Sequence, residues 1–132
     1  MKQDLFQVSL LVIDYDEAIN FYTKKLGFEL VEDIQLSKNK RWVRVKPQGS
    51  STSLLLAKAK NAEQLKFVGN QTGGRVFLFL YTDDIERDLL NFNKNQITIH
   101  RELSNEPYGR VLVFKDLYGN LWDLIQPKAK TH

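Results

Sequence analysis

Apolar and polar residues alternate from Phe6 to Asp14, in Phe6-Gln7-Val8-Ser9-Leu10-Leu11-Val12-Ile13-Asp14, and the pattern returns in Val76-Phe77-Leu78-Phe79-Leu80-Tyr81-Thr82-Asp83-Asp84. A two-residue period predicts a strand in each place, near 5–13 and 75–82. After the first run, Asp14 is placed as a helix N-cap, with Asp16 and Glu17 in the first turn, where the helix dipole favours negative charge. Ala18, Ile19, Phe21, Tyr22 and Leu26 recur at helical spacing, Lys24 and Lys25 fall in the last turn, and Gly27 supplies a left-handed stop. Strands follow near 28–35, 41–46 and 52–57, with Pro47-Gln48-Gly49-Ser50 as the turn between the last two.

Residues 58–75 read as a linker containing a short helical turn between Ala62 and Phe67. The plan then repeats. A helix starts near Asp84 and runs to about Asn93, strands lie near 97–102, 110–115 and 120–126, and Leu117-Tyr118-Gly119-Asn120 makes the last turn. Pro127 halts further ladder bonding, and the final residues are expected to be disordered. Asp14 and Asp84 stand 70 positions apart, and Val45-Lys46 before the Gly49 turn echoes Phe114-Lys115 before the Gly119 turn. The expectation is an α+β fold of two tandem βαβββ modules in one domain spanning 1–132. Module one covers about 4–58, the linker about 59–74 and module two about 75–127. A ligand pocket is expected on the sheet faces that the modules turn toward each other.

Composition narrows the chemistry. The absence of cysteine removes disulfides, thiolate metal sites and cysteine nucleophiles together. The apolar N-terminal run is interrupted by Asp4, Gln7, Ser9 and Asp14, so neither a signal peptide nor a membrane span is expected, and the default location is the cytoplasm. A net charge of +3 is spread along the chain without a basic stripe, which argues against nucleic acid and stays compatible with small anions. The only histidines, His100 and His132, are read as surface or packing residues.

The segment Asp14-Tyr15-Asp16-Glu17-Ala18-Ile19-Asn20-Phe21-Tyr22, with Lys25-Leu26-Gly27-Phe28 after it, resembles the first helix and its exit in the vicinal oxygen chelate superfamily. That superfamily includes glyoxalases, bleomycin-resistance proteins and extradiol dioxygenases. The closing run from Phe114 through Asp116, Gly119, Asn120 and Trp122 to Leu124 resembles its last hairpin. The resemblance implies curved mixed sheets around a cleft, with helices on the outer face, and a homodimer. It also implies four metal-ligand positions, which fall on Gln7, Leu55, Phe77 and Asp123. Leu55 and Phe77 cannot ligate, so no full metal site and no cofactor are expected. A divalent ion held by Gln7, Asp123 and water is the less favoured reading.

Alternation turns Gln7, Ser9 and Leu11 toward the cleft and Val8, Leu10 and Val12 toward the helix. It likewise presents Phe77, Phe79 and Tyr81, and carries Leu121 and Ile125 with Asp123. With Val43 and Val45 in the core, Trp42 and Arg44 face the other way. Arg44 is expected to reach solvent, to pair with a carboxylate such as Asp123, or to hold an anionic ligand. Tyr108 is a candidate at the cleft mouth, and Gln71-Thr72-Gly73-Gly74 is either a hinge or an anion-accepting loop. Asp123 is the one acid–base candidate, and Tyr81 could polarise a carbonyl.

The favoured expectation is a protein that binds a small anionic or aromatic molecule in a largely apolar cleft. The alternatives are a glyoxalase-like lyase or isomerase using Gln7 and Asp123, and a dimeric interaction domain with no small-molecule site.

Overall fold

The computed structural model describes residues 1–129 and divides into two compact units, Met1–Val68 and the chain from Gly69 onward. The expected disordered tail and His132 fall outside the described residues, as far as 130–132 are concerned. In unit one the order is β1 (Gln7–Val12), α1 (Tyr15–Asn20), a π-helical turn (Phe21–Lys25), β2 (Glu29–Gln35), β3 (Arg41–Lys46), β4 (Ser53–Lys58) and α2 (Ala62–Leu65). Unit two holds β5 (Val76–Tyr81), α3 (Ile85–Lys94), β6 (Ile99–Glu106), β7 (Gly109–Lys115) and β8 (Leu121–Pro127). The sheets run β1-β4-β3-β2 and β5-β8-β7-β6, with β1–β4 and β5–β8 parallel and the remaining pairs antiparallel. The fold is α+β, two βαβββ modules in tandem.

Helix α1 has six residues, too few to persist in water by itself, so burial must hold it. Asp14 caps it, its carboxylate accepting from the Glu17 N–H at 2.8 Å. The helix then widens: the Leu26 N–H reaches back five residues to the Phe21 carbonyl at 3.1 Å, and Gly27 ends the turn at φ +81°. Neighbouring residues of an α-helix point about 100° apart, so adjacent Phe21 and Tyr22 would not both face the sheet readily. The wider turn lets both be buried, and Tyr22 packs against Phe21 edge to face at 5.2 Å and against Phe28 at 5.6 Å. In the same unit Leu10, Val12, Val43, Val45 and Leu56 of the sheet are each wholly buried, each contributing about 1.5–3 kcal/mol.

Unit two repeats the design with Asp84 as N-cap, its carboxylate accepting from the Arg87 N–H at 3.1 Å. Ile85 and Phe92 of α3 are buried, as are Leu112, Phe114, Trp122 and Leu124 of the sheet. Phe114 lies 4.8 Å from Phe92 and stacks on Trp122 at 5.6 Å. The helix stops at Gln96, which takes φ +59° where the first copy has Gly27. Strand β6 extends to Glu106, beyond the expected end near 102, because register shifts between Ile99 and Arg101 and between Arg101 and Ser104 let it keep pairing with β7. No helix among the described residues is long and apolar enough to cross a membrane.

Candidate functional site

One face of each sheet is covered by its helix, and the other carries the candidate residues. On unit one the alternation is as expected: Leu10 and Val12 are buried beneath α1, while Ser9 lies on the open face beside its β4 partner Leu55. A hollow of about 550 Å³ opens on this face. Its floor is Ser9 and Leu11 of β1, Leu55 and Ala57 of β4, and Trp42 of β3. At the end where β1 and β4 finish and β3 begins stand Tyr15 and the Asn39-Lys40-Arg41 segment, together with Lys58, Lys60 and Gln64 of the chain leaving β4.

The short helix α2 holds that chain in place. Asn61 caps it by accepting from the Gln64 N–H at 2.8 Å, and the Gln64 side chain accepts in return from the Lys60 N–H at 3.0 Å. The pair resembles a capping box, except that Gln64 reaches the N–H one residue before the N-cap. Arg41 at the rim is neutralised by Asp16 at 2.9 Å and Asp33 at 2.7 Å, and its guanidinium lies 5.2 Å from the Tyr15 ring centroid. These carboxylates hold Arg41 even more firmly in its charged form. Lys40, Lys58 and Lys60, by contrast, make no ion pair among the described residues. The hollow therefore has a hydrocarbon and indole floor under a cationic rim.

Beside it lies a polar cluster centred on Arg44. The guanidinium donates to Gln7 Oε1 at 2.7 Å, to Glu32 Oε1 at 2.5 Å and to Ser53 Oγ at 3.1 Å. The Trp42 indole N–H reaches the same Glu32 oxygen at 3.4 Å, and Phe6 lies under the guanidinium at 5.8 Å. Hydrogen bonding to Arg44 holds the Glu32 carboxyl below the usual carboxylate range, against a smaller effect of burial. Arg44 thus takes a carboxylate partner, but Glu32 directly across the β2–β3 ladder and not Asp123. A cross-strand neighbour is in reach without any rearrangement, which decides the matter.

Phe79 and Tyr81 lie on the open face of unit two, 68% and 76% exposed, paired with Asp123 and Ile125 of β8. Trp122 and Leu124 are buried on the helix face, as alternation requires. Phe77 departs from strict alternation. The ladder pairs Val76 with Leu121 and Leu78 with Trp122, so Phe77 is the extra residue of a β-bulge. Burial raises the Asp123 carboxyl above the usual range, and the charge of Arg101 works against it. Tyr108 sits in the β6–β7 hairpin turn, 57% exposed.

The four inherited ligand positions do not suit a metal ion. Leu55 and Phe77 carry no donor. Gln7 Oε1 accepts from Arg44 at 2.7 Å and lies 3.0 Å from Ser53 Oγ, whose single proton is shared with the Phe6 carbonyl, so a positive charge already occupies its approach. No three His, Asp or Glu side chains among the described residues gather as a metal would need.

Residues 4–124 match the family model of the Glyoxalase/Bleomycin resistance protein/Dioxygenase superfamily, and the chain belongs to that family. Among individual proteins, it is 55% identical over 132 residues to an uncharacterized protein of Shewanella frigidimarina (strain NCIMB 400), covering 98% of each chain. Among solved structures it resembles TnmS3, an antibiotic binding protein from Streptomyces sp. CB03234, at 30% identity and a TM-score of 0.78 over 96% of this chain and 98% of that one. A glyoxalase/bleomycin resistance protein from the same Streptomyces is 29% identical, with a TM-score of 0.73 over 93% and 100% of the two chains.

The short helical turn expected between Ala62 and Phe67 is present as α2, Ala62–Leu65, but sequence reasoning did not place Lys58, Lys60 and Gln64 at the hollow.

Proposed function

We propose that the protein binds a small anionic, aromatic molecule in the hollow of unit one and acts by holding it, without a metal ion. The single observation that supports this most is the pairing of an apolar, Trp42-bearing floor with the unneutralised ammonium groups of Lys40, Lys58 and Lys60. An indole face accepts a planar ring, and a cationic rim favours a carboxylate, sulfonate or phenolate on its edge. Similarity to a protein described as antibiotic binding adds weight to sequestration over turnover. We take the protein to be a cytoplasmic homodimer, in which the exposed rings of Phe79 and Tyr81 meet a second copy.

The test uses 8-anilinonaphthalene-1-sulfonate, which combines fused aromatic rings with one negative charge. Its emission should rise saturably, and Trp42→Ala and Leu55→Glu should each abolish most of the rise while leaving the circular dichroism spectrum unchanged. Equal dye binding by both variants overturns the assignment. The lyase or isomerase alternative draws on the raised Asp123 carboxyl. Stoichiometric, tight uptake of zinc, nickel, manganese or iron by the purified protein would favour it over sequestration.

A further inference from the structure

A second hollow, of about 260 Å³, lies within unit two, remote in chemistry from the apolar one. It forms where the loop from Gly69 to Arg75 meets the Gly119-Asn120 turn, and its charged lining is Arg75, His100 and Lys115. No carboxylate lines it. Neither Arg75 nor Lys115 makes an ion pair among the described residues. The corresponding lysine of the first copy is differently placed. Lys46 lies across the ladder from Glu29 and donates to the Ser50 carbonyl at 2.9 Å, so its charge is satisfied within its own turn. Lys115 has Thr98 as the partner of its backbone N–H, and a register shift around His100 interrupts the ladder there.

The loop is built rather than slack. The Gly73 N–H bonds to the Asn70 carbonyl at 3.2 Å, the Thr72 hydroxyl donates to the Arg75 carbonyl at 2.6 Å, and the Gln71 N–H reaches Asn120 Oδ1 at 3.5 Å. Gly69 approaches the Tyr118 backbone so closely that an added Cβ would stand 2.0 Å from its carbonyl oxygen. The nearest buried anion, Asp116, accepts from five N–H groups, which disperses its charge.

We propose that this hollow is an oxyanion site that takes a phosphate group, with Arg75 and Lys115 as its charge partners and the loop from Gly69 to Arg75 as its wall. A guanidinium matches two phosphate oxygens in parallel and an ammonium adds a third contact, which a carboxylate ligand would use less completely. The volume admits phosphate and the first atoms of what carries it, so free phosphate and a phosphomonoester share this chemistry.

The experiment titrates the full-length, isotope-labelled protein with inorganic phosphate, with a simple phosphomonoester such as glycerol phosphate, and with acetate, at constant ionic strength. Amide shifts of residues 69–75 and 115–121 report binding. The expected result is saturable shifts confined to those segments with phosphate or its ester, weaker ones with acetate, and affinity reduced about tenfold or more by Arg75→Gln. Tighter binding of the ester identifies a phosphorylated small molecule as the ligand, and equal binding identifies the free ion. Because Arg75 is exposed and unpaired, its replacement should not disturb folding, and Lys115→Met provides a second, independent variant. Shifts spread over the whole chain, or shifts that survive both substitutions, overturn the proposal.

Discussion

Replacing Asp116 by alanine should unfold the molecule more readily than any other single polar substitution. The carboxylate is buried, and its Oδ1 accepts from the N–H groups of Tyr118 and Gly119, both at 3.1 Å, and Asn120 at 3.0 Å. Its Oδ2 accepts from Asn120 Nδ2 at 3.0 Å and from the Trp122 indole at 3.2 Å. Alanine strands the two side-chain donors, on residues that are 3% and 2% exposed, together with the backbone of the turn. Each stranded buried donor costs about 1–3 kcal/mol, the costs are not additive, and a water entering the vacated space recovers part of them, so a loss of about 3–5 kcal/mol is expected. An unfolding entropy of about 2.1 cal/mol/K per residue then lowers the melting temperature by roughly 11–18 °C. Urea unfolding followed by tryptophan emission, with calorimetry alongside, measures this. Asp116→Asn keeps the shape and one acceptor, and should lose about half as much. If Asp116→Ala stays within about 1 kcal/mol of the parent, the carboxylate is not the organising centre of the turn.

Gln96 holds a left-handed conformation at a helix end, so Gln96→Gly should raise stability by up to about 1 kcal/mol in urea unfolding. Gly69→Ala combines a positive φ with a backbone collision, and should destabilise by about 2 kcal/mol or more in the same assay. Because burial raises the Asp123 carboxyl, the folded state holds its proton more tightly than the unfolded one. Its contribution therefore falls as pH rises from the ordinary carboxylate range through the raised value. Asp123→Asn should match the parent below that window and be more stable above it, as thermal unfolding across pH would reveal. Arg44→Met removes the shared donor of Gln7, Glu32 and Ser53, and should loosen Trp42, seen as a red shift of its emission and weaker dye binding.

The two-residue period of β1 placed Leu10 and Val12 against the helix and Ser9 opposite them, because one face of that strand is buried and the other is not. The same reasoning separated Val43 and Val45 from Trp42 and Arg44. The acidic N-caps Asp14 and Asp84 marked both helix starts for a local reason, the unsatisfied N–H groups of a first turn. Phe77 escaped because a bulge adds one residue without changing the apolar pattern. Glu32 escaped as the partner of Arg44 because ladder register depends on where two strands meet, not on either alone. The helical turn after β4 was legible in its sequence, but its place beside the first hollow was not, because that depends on where the chain leaving β4 meets the sheet.

The clamp of Arg44 on Gln7 also bears on how such a chain can drift over generations. A histidine arising at Leu55 would stand across the β3–β4 ladder from Arg44, whose guanidinium already sits on the Gln7 amide oxygen, so a dication there would be repelled. Loss of the arginine must come first, and that step removes the ion-pair partner of Glu32 and a donor to Gln7 and Ser53. A metal site built on this face would therefore have to pass through an intermediate that has given up that clamp, which works against its appearance.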